Sequence, residues 1–187
     1  MSCLLILLTA LLYFPFLGAV HLFDWDEINF AEIAREMLVT GDFKKTQIDY
    51  QNFYEKPPLF FWLQAFSMKL FGVGEYAARL PNAACGTLTI LALFFIGSSL
   101  RSNLFGFLWA VAYLGSILPT FYFRSGIIDP IYNLFSFLSL FLFYKASLVS
   151  KKRMFYCLSS GLLLGLALLT KGPAIPAIVI LTWITID

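Results

Sequence analysis

The sequence predicts an all-α polytopic integral membrane protein: a bundle of transmembrane helices with an external loop that carries amphipathic interfacial helices. Three observations lead there. The 187 residues are 60% hydrophobic and 18% aromatic but only 13% charged, a composition foreign to water-soluble globules of this length. The apolar residues cluster at 3–20, 80–100, 104–123, 127–148 and 155–170, in runs close to the roughly 20 residues that cross a hydrocarbon core. Nine of the eleven acidic residues fall between Asp24 and Glu75, so polar chemistry concentrates in one long segment between spans.

The first run has no basic leader and no small-residue cleavage site, and reads as an uncleaved membrane helix rather than a signal peptide. Residues 21–78 then form the external loop. Within it Phe30, Ile33, Ala34, Met37 and Leu38 recur at helical spacing, with Glu32, Arg35 and Glu36 on the other side. An interfacial helix over about 25–40 follows, opened by a capping box of Asp24 and Glu27 and closed by Gly41. Residues 57–72 are broken by Gln64 and Lys69 and predict a second interfacial or re-entrant helix, started by Pro57–Pro58. The run at 172–187 makes only a partial span, so the sequence reads as the front portion of a longer protein.

Lys145, Lys151, Lys152 and Arg153 form the densest basic link, which the positive-inside rule makes cytoplasmic. Counting back across the spans puts 124–129 and 21–78 outside and Arg101–Asn103 inside, with the N-terminus inside. Whichever way the chain is inserted, Asp26, Lys56, Arg79, Arg124, Asp129 and Lys171 fall near one membrane face.

A net charge of +2 with scattered basic residues excludes an electrostatic nucleic-acid footprint. Cys3, Cys85 and Cys157 have neither metal-ligand nor disulfide spacing and read as packing residues. Gly161 and Gly165 form a G-x-x-x-G pattern that predicts helix packing. His21 reads as part of an interfacial belt. Asp26 and Glu27 suit a helix N-terminus as well as catalysis, and Asp129–Pro130 suits either an N-cap or a site acid. Lys56, ahead of a proline and so biased out of helix, Arg124 and Lys171 are each interface anchors or ligands. Together they suit a face that binds a lipid-linked phosphate and handles a proton.

The order DE at 26–27, AEIAREM at 31–37, GDF at 41–43, YEKPPL at 54–59, LFG at 70–72, ARLP at 78–81, Asp129 and TKGP at 170–173 resembles the N-terminal part of bacterial GT-C membrane glycosyltransferases. The resemblance is to the protein O-mannosyltransferase-like group that includes aminoarabinose transferases acting on lipid A. It implies a GT-C-type helix bundle in the bacterial inner membrane with its active face external, that is, periplasmic. It also implies Asp26 as the catalytic carboxylate, Glu27 as its motif neighbour and Asp129 as a second acid. Lys56 would contact the donor phosphate, with Lys171, Arg79 and Arg124 adding positive potential and Glu55 and Tyr54 in support.

The implied reaction is metal-independent, inverting transfer of a sugar from a polyprenyl-phosphate donor to a protein, lipid A or another envelope glycan. No tightly bound cofactor is expected, a divalent ion between Asp26 and Asp129 being the open alternative. No nucleotide-binding glycine loop occurs, in keeping with a lipid-linked donor. Expected partners are the donor, the acceptor and membrane lipids. The competing reading is a non-catalytic lipid-phosphate carrier or flippase that uses the same basic residues.

Overall fold

The computed structural model describes residues 1–23, 25–173 and 177. Among them eight helices follow one another: α1 (Ser2–Tyr13), α2 (Asp26–Thr40), α3 (Leu59–Phe71), α4 (Glu75–Leu100), α5 (Asn103–Leu114), α6 (Ile117–Phe123), α7 (Asp129–Leu148) and α8 (Arg153–Lys171). A two-residue ladder, β1 (Gln47–Ile48) with β2 (Gln51–Asn52), lies between α2 and α3. The all-α class predicted from composition is what forms. Asp24, the acid of the expected capping box, lies outside the described residues, as does most of the expected partial span at 172–187.

Helices α4, α7 and α8 are long and apolar enough to cross a membrane, and α5 with α6 makes a fourth candidate bent by 75°. The run 104–123 is therefore not one straight helix. Gly115 and Ser116 interrupt it, with Ser116 at φ −79°, ψ 130°. Pro119 then falls in the first turn of α6, where its missing N–H costs no helical bond. The run 3–20 is also shorter as helix than as hydropathy. It stops at Tyr13, because Pro15 cannot continue the backbone ladder and Phe16 turns to φ 57°.

The centre of the bundle is α4. Close approach to α5 depends on two glycines: a Cβ on Gly97 would meet the Gly106 Cα at 2.7 Å, and one on Gly106 would strike the Phe94 carbonyl. On another face of α4, Gly86 leaves room for the rings of Tyr13 and Phe123. Between α7 and α8 the clasp is polar and reciprocal: Ser139 Oγ donates to the Ser160 carbonyl at 2.9 Å and Ser160 Oγ to the Ser139 carbonyl at 2.8 Å. Gly161 and Gly165, expected to mark packing, have no neighbouring helix within 4 Å of an added Cβ among the described residues. The buried stripe of α8 runs through Ser160, Ala167 and Thr170 instead. Of the cysteines only Cys85 is buried, while Cys3 is exposed.

The loop segment folds as a layer, α2 packing on α3 and α3 on α4. Phe30, Ile33, Ala34 and Met37 bury the apolar face of α2, and Gly41 ends the helix at φ 69° with its N–H on the Met37 carbonyl. Glu36, expected on the solvent side, is buried at 1% exposure. The β1–β2 hairpin covers it, and its carboxylate accepts the Tyr50 N–H at 3.1 Å. Asp49 and Tyr50 both take positive φ (52° and 60°), the requirement of a two-residue turn whose twist matches its strands. In α3, Gln64, which argues against a span, is fully buried and donates to the Ala78 carbonyl of α4 at 2.9 Å.

A contrast between glycines tests this packing. Gly106→Ala should lower stability by about 1–3 kcal/mol, since backbone rather than a flexible side chain blocks the added methyl. Gly165→Ala should be neutral or stabilising by up to about 1 kcal/mol through helix propensity alone. Thermal unfolding of the two variants in detergent measures both.

Candidate active site

Glu27, in the first turn of α2, lies beside Arg79, in the second turn of α4. Arg79 Nε donates to Glu27 Oε1 at 2.8 Å and Nη2 to Oε2 at 2.9 Å, with both side chains almost fully buried. The remaining capacity is also used. Arg79 donates to the carbonyls of Leu17, Val20 and His21 at 2.7–2.9 Å. Glu27 accepts the backbone N–H groups of Phe23 (2.7 Å) and Gly126. A side chain on Gly126 would press on Glu27, Gln64 and the Ala78 carbonyl, so this residue must be small for the α6–α7 link to reach the carboxylate.

Two more side chains secure the same link. Asn82 Nδ2 donates to the carbonyls of Ser125 and Ile127, each at 2.6 Å. Arg124 caps the end of α1, its guanidinium donating to the carbonyls of Leu12 and Pro15. The geometry gives three of the expected site residues structural partners. Glu27 and Arg79 form a buried ion pair, and both arginines donate to backbone carbonyls, while Arg79 and Arg124 also line a small cavity of about 130 Å³ with Phe23 and Phe121. Their contribution is to hold the ends of α1, α2, α4 and α7 together.

Asp26, next to Glu27, is the first residue of α2 and is exposed. Asp129 is the first residue of α7, followed by Pro130, and Ile128 rather than Asp129 takes the N-cap position. Its carboxylate accepts from Lys171 Nζ at 2.5 Å, across from the last turn of α8. Lys171 also lies 5.9 Å from the Tyr132 ring centre. Lys171, Lys56, Tyr54 and Glu55 line one open cleft of about 420 Å³, together with Lys44 and Thr46. Three lysines against Glu55 and the Asp129 carboxylate bonded to Lys171 leave one positive charge in excess at the cleft. No ion pair engages Lys56 or Lys44 among the described residues, and Tyr54 is 83% exposed. The excess positive charge suits an anion.

A second cavity, also about 420 Å³ and mostly apolar, opens between α4, α5, α6 and α7. Leu93, Trp109, Tyr113, Pro119, Pro130 and Phe137 are among its lining residues. Through Pro130 it begins one residue from Asp129. On the outer layer the carboxylate oxygens of Glu32, Glu36 and Asp49 lie within 4.8 Å of one another. Glu32 there is forked by Arg35 at 2.6 and 2.8 Å, and that hydrogen bonding holds its carboxyl below the usual range. Sequence reasoning missed both Lys44 and Asn82. Lys44 looks like any loop lysine beside Lys45, and an asparagine in an apolar run carries no local sign of its partners.

A family model described as dolichyl-phosphate-mannose-protein mannosyltransferase matches residues 55–187. Relatives named undecaprenyl phosphate-alpha-4-amino-4-deoxy-L-arabinose arabinosyl transferase are similar to this chain. The one from Pectobacterium carotovorum is 32% identical over 91% of this chain and 31% of its own length. The one from Edwardsiella ictaluri is 33% identical over 85% and 30%. Among solved structures, ArnT from Cupriavidus metallidurans matches 99% of this chain and 36% of its own. The apo form gives a TM-score of 0.88 at 26% identity, and the form bound to undecaprenyl phosphate 0.89 at 25%. The chain thus spans about a third of the length of the relatives it matches.

Removing one partner of the buried pair should be costly. Glu27→Gln is expected to lose about 3–5 kcal/mol of stability, the cost of stranding a buried charge. Replacing Glu27 and Arg79 together with methionine should not restore it, because five backbone groups lose their partners. Thermal unfolding of both variants in detergent checks the pair of outcomes.

Proposed function

The chain belongs to the dolichyl-phosphate-mannose-protein mannosyltransferase family, and from that premise we propose that it carries the donor-phosphate site and the catalytic carboxylate of a membrane glycosyltransferase. The proposed donor is a sugar on undecaprenyl phosphate, with 4-amino-4-deoxy-L-arabinose the first candidate from the names of the relatives. The proposed acceptor is an envelope glycolipid of the lipid A kind. The observation that carries this reading is the positive cleft of Lys44, Lys56 and Lys171 beside Asp129, in a chain whose fold matches a protein solved with undecaprenyl phosphate bound.

In the proposed reaction an acceptor oxygen attacks the anomeric carbon and forms the new glycosidic bond. The bond from that carbon to the phosphate oxygen breaks, and its electron pair stays on the leaving polyprenyl phosphate. The acceptor's proton passes to Asp26, whose exposed position at the start of α2 leaves it open to substrate. General-base help of this kind is typically worth about 10²–10⁴-fold. Lys56 and Lys171 face the charge that develops on the phosphate, where fixed cations stabilise the transition state more than the ground state. Asp129 positions the Lys171 ammonium. A single displacement inverts the anomeric centre. The apolar cavity beginning at Pro130 offers volume for part of the prenyl chain.

The basic link at Lys145–Arg153 joins the far ends of α7 and α8, about 30 Å of helix from Asp129. With that link cytoplasmic, the cleft lies on the periplasmic side of the inner membrane.

Transfer of labelled sugar from an undecaprenyl-phosphate donor, in membranes holding the protein that carries this chain, tests the reading. Asp26→Asn should cut transfer by about 10²–10⁴-fold while leaving lipid binding close to wild type. Lys56→Ala should weaken binding of undecaprenyl phosphate itself. A carrier would tolerate Asp26→Asn, so wild-type transport with no transfer activity would sink the enzyme reading. Wild-type transfer in both variants would remove the assigned site.

A further inference from the structure

Given the lipid-phosphate donor proposed above, we infer that Lys44 is a third phosphate-binding residue, matched to the second negative charge that the leaving group gains during transfer. The donor is a phosphodiester with one negative charge. When its bond to the anomeric carbon breaks, the phosphate keeps the electron pair and becomes a monoester of about −1.5 to −2 at neutral pH. A site that favours the more highly charged species favours the transition state over the substrate. Lys44, Lys56 and Lys171 line the cleft against Glu55, and the Lys171 ammonium is already bonded to Asp129. The third lysine supplies the positive charge that the pairing with Asp129 offsets.

The backbone around Lys44 is pinned. Trp62 Nε1 of α3 donates to the Phe43 carbonyl at 2.7 Å, and the Lys44 N–H donates to Asp42 Oδ1 at 3.0 Å. Two residues on, Thr46 and Phe53 are joined by the Phe53 N–H to Thr46 carbonyl bond at 2.8 Å and by the Thr46 hydroxyl to the Phe53 carbonyl. That pair continues the β1–β2 register of Gln47 with Asn52 and Ile48 with Gln51. Beyond that pair the two strands bend apart from the ladder, and Lys44, Glu55 and Lys56 all line the cleft. Lys45 goes elsewhere: its Nζ lies 3.5 Å from Asp42 Oδ2 and it does not line the cleft. Adjacent lysines in one loop thus have different partners, and Lys45 serves as the internal control.

Binding of undecaprenyl phosphate and of its methyl phosphodiester, at pH 8 in detergent, to the protein that carries this chain is the test. Lys44→Ala should weaken the monoester about tenfold, the scale of one lost hydrogen bond to a charged group, and the diester less than about threefold. Lys44→Arg should retain most of the preference, and Lys45→Ala should change neither affinity. At pH 5, where the monoester is largely singly charged, the penalty of Lys44→Ala should shrink toward that for the diester. Equal losses on the two probes, or the same effect from Lys45→Ala, would overturn the role of Lys44. If Lys56→Ala weakens undecaprenyl phosphate while Lys44→Ala does not, the donor site stands and Lys44 alone is excluded. If none of the lysine variants weakens it, the donor reading itself fails.

Discussion

A buried carboxylate and guanidinium, 52 residues apart in sequence, organise the functional end of this molecule. Two charges taken out of water are unfavourable unless every donor and lone pair finds a partner. Glu27 and Arg79 meet that condition by recruiting backbone groups from the turn after α1 and from the link between α6 and α7. The need to satisfy one ion pair therefore brings four chain segments to a common point. Asp26 precedes Glu27 by one residue and Asp129 follows Gly126 by three. The candidate catalytic acids inherit their positions from a network in which they take no part.

Around that centre charged residues divide into two kinds of work. Arg79 and Arg124 spend their planar forks on carbonyl oxygens, which suits a side chain with five fixed donors. The cleft holds lysines, compact point charges on flexible stems. Asp129 stands between the two, ordering one lysine without burying it. Fixed guanidinium forks hold the backbone, and flexible lysine stems line the open cleft.

The membrane bundle shows how close packing is achieved with little hydrophobic drive between helices. Gly97 and Gly106 let α4 and α5 touch backbone to backbone, and Ser139 with Ser160 ties α7 to α8. The pattern that looks most like a packing motif, Gly161 with Gly165, meets no partner among the described residues. Spacing within one helix says which residues share a face, but the partner across that face depends on the other helices.

The all-α class, the crowding of acids into one segment, the helix over 25–40 with its glycine stop and the placement of Asp129 and Lys171 toward one face were readable from the chain. These are consequences of local properties: helical periodicity, hydropathy over about 20 residues and a residue's place relative to a helix end. The fates of Glu27, Arg79 and Arg124 were not readable. Nor were the burial of Glu36, the 75° bend at Gly115–Ser116 and the distinction between Lys44 and Lys45. Each depends on which distant backbone group or side chain arrives beside it. A charge on an apolar helix reads the same in sequence whether it awaits a ligand or already holds a carbonyl. By itself the sequence determined that this protein crosses a membrane and brings its acids and several of its bases toward one end. The tertiary structure decided which groups hold that end together and which stay exposed in the cleft, because burial and hydrogen-bond satisfaction are settled between segments.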